Sequence, residues 1–163
     1  MIRPIAFFAA LVGAASPAVA STNAIYSYLS RNTLIDTIEE TGTNVRFNTA
    51  ECTRNIMGYF ALESDAYGNV TRDELGLCVA AHKGDLAELS NTLRHEAMHV
   101  AQACYGGPIA PIEELLEVAT PEIHRIVGRY PAQHHHVEYE AFVAAEYFSD
   151  AEMTKVVEHF CFE

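Results

Sequence analysis

Three residues near the middle of the chain, His95, Glu96 and His99, have the types and spacing for metal chemistry. On an α-helix, residues four apart share a face one turn apart, so His95 and His99 can aim both imidazoles at one point. Neutral imidazole nitrogens bind Zn2+ at about 2.0–2.1 Å, and a catalytic site takes three protein ligands and a water. Glu96 points round the side of that pair, where a carboxylate misses the ion yet reaches the water as general base. The His-Glu-x-x-His pattern on a helix therefore predicts hydrolysis by a zinc-activated water. Two histidines are not a complete site, so a third donor must come from elsewhere in the chain.

The element that positions this triplet can be read around it. Asp85 with Glu88 three residues on predicts a capping box that opens a helix near Leu86. Leu86, Leu89, Leu93, Ala97, Val100 and Cys104 recur at steps of three and four and form one apolar stripe. His95, His99 and Gln102 fall on an adjacent stripe, which places Gln102 behind the metal or in the wall of a cleft. Gly106-Gly107-Pro108 stops the helix.

The third donor is sought in Val137 to Glu146, where acids stand among small and apolar residues. Glu138 shares a helical face with Ala141, Phe142, Ala145 and Phe148, so its carboxylate is carried into the core. An unpaired carboxylate there is costly, and a metal ion satisfies it. Glu140 lies about 200° away around the helix, so the two cannot face one ion. Packing favours Glu138 over Glu140, and both stay open at this stage. His135 and His136, in the triplet that begins at His134, are the next donors to consider. Tyr130 or Tyr139 could stabilise an oxyanion as a phenol donor. His82, His124 and His159 read as surface residues.

On these residues the chain resembles the gluzincin group of zinc metallopeptidases: His95-Glu96-x-x-His99 is followed by Glu138-x-x-Ala141 on a later helix. The likeness extends to the Glu-x-x-Ala-Asp and Glu-x-Glu-Ala-Asn segments of small gluzincins, but Phe142 stands where those carry Asp or Asn. The resemblance implies a zincin-like fold, Glu138 as third ligand beside His95 and His99, and Glu96 as base. His-Glu-Ala-Met-His-Val-Ala-Gln is also similar to small uncharacterised peptidases, which adds no mechanism.

The rest of the chain bounds this reading. Arg3, the apolar run Ile5 to Ala15 and Ala18-Val19-Ala20 predict a signal peptide over residues 1–20, cleaved after Ala20. The run is too short to span a bilayer, so a secreted or periplasmic protein with no stable membrane span after cleavage is expected. Residues 21–163 then form a single domain with its own core. The 10 Lys and Arg against 22 Asp and Glu, a formal net charge of −12, argue against nucleic acid as a partner. No glycine-rich phosphate loop is present. Four cysteines, Cys52, Cys78, Cys104 and Cys161, predict two disulfides, with three connectivities open. Asn69-Val70-Thr71 matches a glycosylation acceptor formally and is read as a plain turn.

Helical spacing covers Asn23 to Thr41, and strand character follows at Val45–Asn48, Met57–Leu62 and Leu75–Ala80, with a hairpin turn near Ser64–Asn69. The last strand ends just before the metal helix. It is read as running along the site's rim, where it pairs with an extended substrate or stands as an ordinary sheet edge. Helices are predicted from Pro111 to Ala119, from Pro121 to about Tyr130, from His135 to Phe148, and after a Ser149–Glu152 capping box. The expected fold is α+β: an N-terminal helix, a short antiparallel or mixed sheet, the histidine helix and a helical C-terminal half. The expected function is a secreted zinc-dependent metallopeptidase acting on a peptide or protein substrate. A catalytically silent zinc-binding module, or a disulfide-stabilised secreted binding module, is the alternative.

Overall fold

The computed structural model describes residues 5–9, 22–53 and 56–163. Its fold is α+β, with seven α-helices and one small mixed sheet among the described residues. The predicted leader and its cleavage site fall largely outside the described residues. Of that segment, Ile5–Ala9 forms strand β1, antiparallel to Gly58–Ser64 (β3) with Ile5 opposite Leu62 and Ala9 opposite Gly58. β1 adds at the outer side of β3, whose other ladder does not depend on it.

The N-terminal helical stretch is two helices rather than one: α1 (Thr22–Leu29) and α2 (Thr33–Glu40). Asn32 makes the break. Its side-chain oxygen accepts from Leu34 N at 3.0 Å, and its amide donates to Asp150 Oδ2 at 2.7 Å. A buried Asn that caps one helix and binds a distant acid cannot also continue the helix before it.

Asn44–Phe47 (β2), β3 and Val70–Leu77 (β4) make the rest of the sheet, in the order β1-β3-β4-β2. β3 and β4 form the predicted hairpin. Its turn is tied by Asp65 Oδ1, which accepts from Tyr67 N and Asn69 N at 2.8 and 2.9 Å. The last strand differs from its prediction in extent and in place. β4 ends at Leu77, Val79–His82 is a 3₁₀ turn, and β4 lies between β3 and the parallel β2. Over Glu74–Leu77, the half nearer α3, both ladders are taken by neighbours, so that part of β4 has no open edge for a substrate backbone.

The long helix α3 (Leu86–Tyr105) follows, capped by Asp85, whose Oδ1 accepts from Ala87 N and Glu88 N, both at 3.0 Å. Glu88 does not close the predicted box; it turns to His82 instead. Gly106 ends the helix at φ 92, a left-handed conformation that glycine adopts without strain. The stripe of Leu89, Leu93, Ala97 and Val100 is buried against Leu34, Ile38, Phe60, Leu75, Leu77, Met153 and Val157, which form the main core.

The C-terminal half is α4 (Ile112–Val118), α5 (Pro121–Val127), α6 (His135–Tyr147) and α7 (Asp150–Phe162). α5 stops before Tyr130, with Gly128 as its C-cap. The Ser149–Glu152 capping box opens α7. Arg94 of α3 joins the last two helices. Its guanidinium donates to the Ala145 carbonyl at 3.1 and 2.8 Å and to Asp150 Oδ1 at 3.0 Å. Ala145 lies in the last turn of α6, where carbonyls lack helical partners, so one charged side chain caps α6 and fixes its angle to α3.

Two disulfides close the structure. Cys52–Cys78 links the loop before β3 to the end of β4, and Cys104–Cys161 links the ends of α3 and α7. They span 26 and 57 residues, each stabilising by about 3–4 kcal/mol through the unfolded chain. No helix is long and apolar enough to cross a membrane among the described residues.

Candidate metal centre

α3 carries His95, Glu96 and His99 in its third and fourth turns, inside the domain rather than on its surface. A donor atom from each lies within 4.8 Å of the other two. α6 crosses α3 at this level and brings in Glu138. Its Oε2 is 3.5 Å from His95 Nε2 and its Oε1 is 3.8 Å from His99 Nε2. All four side chains are buried; His95, Glu96 and Glu138 have zero exposure.

His99 is oriented from behind. Gln102 Nε2 donates to the Val137 carbonyl at 3.0 Å and to Glu140 Oε2 at 2.8 Å. That fixes its Oε1 as an acceptor, 2.8 Å from His99 Nδ1. Nδ1 of His99 must then carry the proton, which leaves the lone pair on Nε2, the nitrogen facing Glu138. Glu140 also accepts from Ile109 N at 3.1 and 3.0 Å and from Ala110 N. Its carboxylate is thus engaged with Gln102 and the loop after α3, turned away from the histidines. Glu140 is nevertheless buried, because α4 and that loop cover the second side of α6. Phe148, placed on the inner face by spacing, is 39% exposed, because α6 has ended before it.

The other donors considered from sequence lie apart from the pair. His135 Nε2 donates to the Tyr130 carbonyl at 2.9 Å and His136 Nε2 to the Ala110 carbonyl at 2.8 Å. Tyr139 hydroxyl is bonded to His124 Nδ1 at 2.9 Å. Tyr130 stays near the centre, its ring 6.2 Å from that of Phe142. His124 and His159 are exposed as expected, whereas His82 is buried, 2% exposed. The Met57 carbonyl on β3's approach receives its Nε2 at 3.3 Å, a long-range contact absent from local pattern.

Burial sets the electrostatics. It pushes the imidazole of His95 down to about 3 and that of His99 down to about 4, the latter opposed in part by the Glu138 charge. Both rings are therefore neutral at pH 7, as metal ligands must be. Burial raises Glu138 to about 7 and lifts Glu96 well above the usual carboxylate range, with the Glu138 charge adding to it. Both ring nitrogens of His95 and all four oxygens of Glu96 and Glu138 are buried without a hydrogen-bond partner among the described residues. Two buried carboxylates and an imidazole left in this state are costly, and a metal ion held here could satisfy them.

Two neighbours invisible to motif reading shape the site. Gly58, the first residue of β3, lies against Glu96. A Cβ there would stand 2.6 Å from Thr92 Cγ2 and 3.1 Å from Glu96 Oε1, so only glycine lets β3 approach α3 this closely. Phe142 packs its ring edge-on to His95 with centroids 4.3 Å apart. Where gluzincins carry a polar residue, this chain holds His95 by an apolar wall, and His95 Nδ1 has no hydrogen-bond partner among the described residues.

A family model described as a domain of unknown function (DUF8637) matches residues 25–162. The chain belongs to that family. The match spans β2 to β4, α3 and α6 with Glu138 and Glu140, so every residue of the centre lies within the family's domain. No match was found among curated proteins or among solved structures.

Proposed function

We propose that the protein is a zinc-dependent metallopeptidase in which His95, His99 and Glu138 hold the ion and Glu96 is the general base. The observation that carries this reading is the separation of donors. Ligands at about 2.1 Å in a tetrahedral zinc site lie about 3.4 Å from one another. The Glu138 oxygens stand 3.5 and 3.8 Å from the two histidine Nε2 atoms. The donor set, two imidazoles and one carboxylate, suits zinc and is that of a catalytic site with an open fourth position. A zincin-like arrangement is supported by β3 passing beside the base and by Glu138 arriving from a later helix.

Bound zinc would supply Lewis acidity to the scissile carbonyl and acidify a water in the open position. Glu96 receives the proton of the attacking water on its carboxylate and returns it to the leaving amine. Gln102 and Glu140 keep His99 in the ligating tautomer, and Phe142 keeps the ring of His95 in place. Tyr130, whose ring stands 6.2 Å from that of Phe142, is the phenol we assign as donor to an oxyanion formed at this centre. The edge of β3 next to Gly58 is the one with which β1 pairs. A chain cleaved after Ala20 offers that edge to an extended peptide in β1's place.

Complete burial of His95, Glu96 and Glu138 favours a second reading, a closed metal site that ties α6 to α3 and catalyses nothing. Glu96→Gln separates the two. For a peptidase, hydrolysis of a denatured protein substrate falls by about 10²–10⁴-fold with zinc content unchanged. For a closed site, neither the wild type nor the variant hydrolyses it.

A further inference from the structure

A second cluster of polar groups lies near the N-terminal end of α3. A cavity of about 550 Å³ is bounded by Met57, the Cys52–Cys78 disulfide, Ala80, Ala81, His82 and Glu88. His82 is buried and its Nδ1 has no hydrogen-bond partner among the described residues. The Met57 carbonyl can only accept, so His82 Nε2 carries the ring proton in the bond between them. Burial holds the imidazole below its ordinary value, so the ring is neutral at pH 7 and Nδ1 is a bare acceptor. Facing it at 3.6 Å is Glu88 Oε2, another acceptor. Two acceptors turned to one point, with no donor between them, call for a donor-rich or cationic group.

We propose that this cavity is a subsite for the side chain of a basic residue, lysine or arginine, of the substrate. Met57, Ala80 and Ala81 provide apolar wall for an aliphatic stem, and His82 Nδ1 with Glu88 receives the charged head. Lys83 also lines the cavity, and the Asp85 charge acts on both His82 and Glu88. Asp85 is engaged with the first amides of α3, and no ion pair joins Lys83 to Glu88 among the described residues. Glu88 and Glu96 are eight residues apart on one helix, about 12 Å. Met57 and Gly58 connect the two places directly, since Met57 bonds His82 and Gly58 abuts Glu96. A substrate in extended form covers 12 Å in about four residues. This inference rests on the peptidase reading for the identity of the ligand but not for the existence of the site.

The test uses a probe that cannot be hydrolysed. n-Butylguanidinium is titrated into the full protein while long-range ¹H–¹⁵N spectra follow the His82 ring, with n-butylurea as the neutral isostere. The guanidinium shifts the His82 signals saturably, the urea binds at least fivefold more weakly, and Glu88→Gln, at a partly exposed position, weakens the guanidinium at least fivefold. Equal binding of guanidinium and urea, or undiminished binding in Glu88→Gln, overturns the proposal. In a separate arm, cleavage of a mixed peptide library by the zinc-loaded protein enriches Lys or Arg within about four residues of the cut. Saturable guanidinium binding with no peptide cleaved refutes the peptidase reading and leaves the cation site standing. Cleavage with no basic preference refutes the subsite.

Discussion

The carboxylate of Glu138 spans the two motif histidines, one oxygen toward each Nε2, at 3.5 Å from His95 and 3.8 Å from His99. The contact joins two helices whose sequences are about 40 residues apart, and it occurs where neither element is solvated. Arg94 fixes the relation from the far end by holding the last turn of α6 against α3. Metal affinity and the packing of α3 on α6 are therefore linked, and each can be perturbed separately.

Glu140 and Gln102 act through His99. Gln102→Leu removes the acceptor of the His99 Nδ1 proton, and zinc affinity falls by about 10–100-fold with one ion still bound. Glu140→Ala leaves Gln102 Nε2 and the Ile109 and Ala110 amides without their acceptor. It destabilises the fold by about 2–4 kcal/mol, read by denaturant unfolding. Wild-type stability for Glu140→Ala would show that this network is not holding the loop to α6.

Proton competition governs the pH dependence of metal binding. Metal requires ionised Glu138, whose value in the metal-free fold is raised to about 7, and neutral His95 and His99, already lowered to about 3 and 4. Apparent zinc affinity therefore drops tenfold per unit as pH falls below about 7, with close to one proton released per ion. Calorimetric titration in buffers of different ionisation enthalpy measures that proton. Release of two or three protons at pH 6 would mean that the histidines, not Glu138, compete.

The same shifts fix the stability of the metal-free protein. Depressed histidines contribute stability that is present above the unfolded value near 6.5 and lost as pH falls toward 4 and 3. The raised Glu138 contributes in the opposite sense: its share is present below the unfolded value near 4.5 and is lost as pH rises through 7. Glu96, also raised by burial, acts in the same sense as Glu138, so two carboxylates offset two histidines between about pH 4.5 and 6.5, and unfolding midpoints in chelator should fall off on both sides of that window. A midpoint that rises steadily from pH 5 to 8 contradicts a buried metal-free Glu138.

Gly58→Ala tests the fit of β3 against the base. A methyl group there meets Thr92 Cγ2 at 2.6 Å and Glu96 Cγ at 3.0 Å, so Glu96 must move while the three ligands need not. Turnover drops at least tenfold with zinc stoichiometry intact. Unchanged turnover would place the working position of Glu96 away from β3.

Much of the centre is legible in sequence because it depends on one helix's periodicity. His95, His99 and the apolar stripe of α3 need only the 3.6-residue repeat, and Glu138 is marked by Ala141, Phe142 and Ala145 on its own face. Glu140 defeats the same logic because a loop about 30 residues away covers it, and its acceptors' partners are backbone amides with no side-chain signature. His82 is buried by a carbonyl 25 residues distant, also without local trace. The place of β4 between two strands is a matter of pairing order, which strand character does not encode. The helix break at Asn32 combines a readable cap with an unreadable partner, Asp150, more than a hundred residues later.

The most direct test of the account is a competitive zinc titration against a chelator on the wild type and on Glu138→Ala. The wild type binds one zinc per chain. Glu138→Ala, which removes one of three ligands, loses stoichiometric zinc under the same competition while keeping its fold and both disulfides. Wild-type zinc affinity in Glu138→Ala would show that the ion, if bound, is held without the residue on which the proposed centre depends.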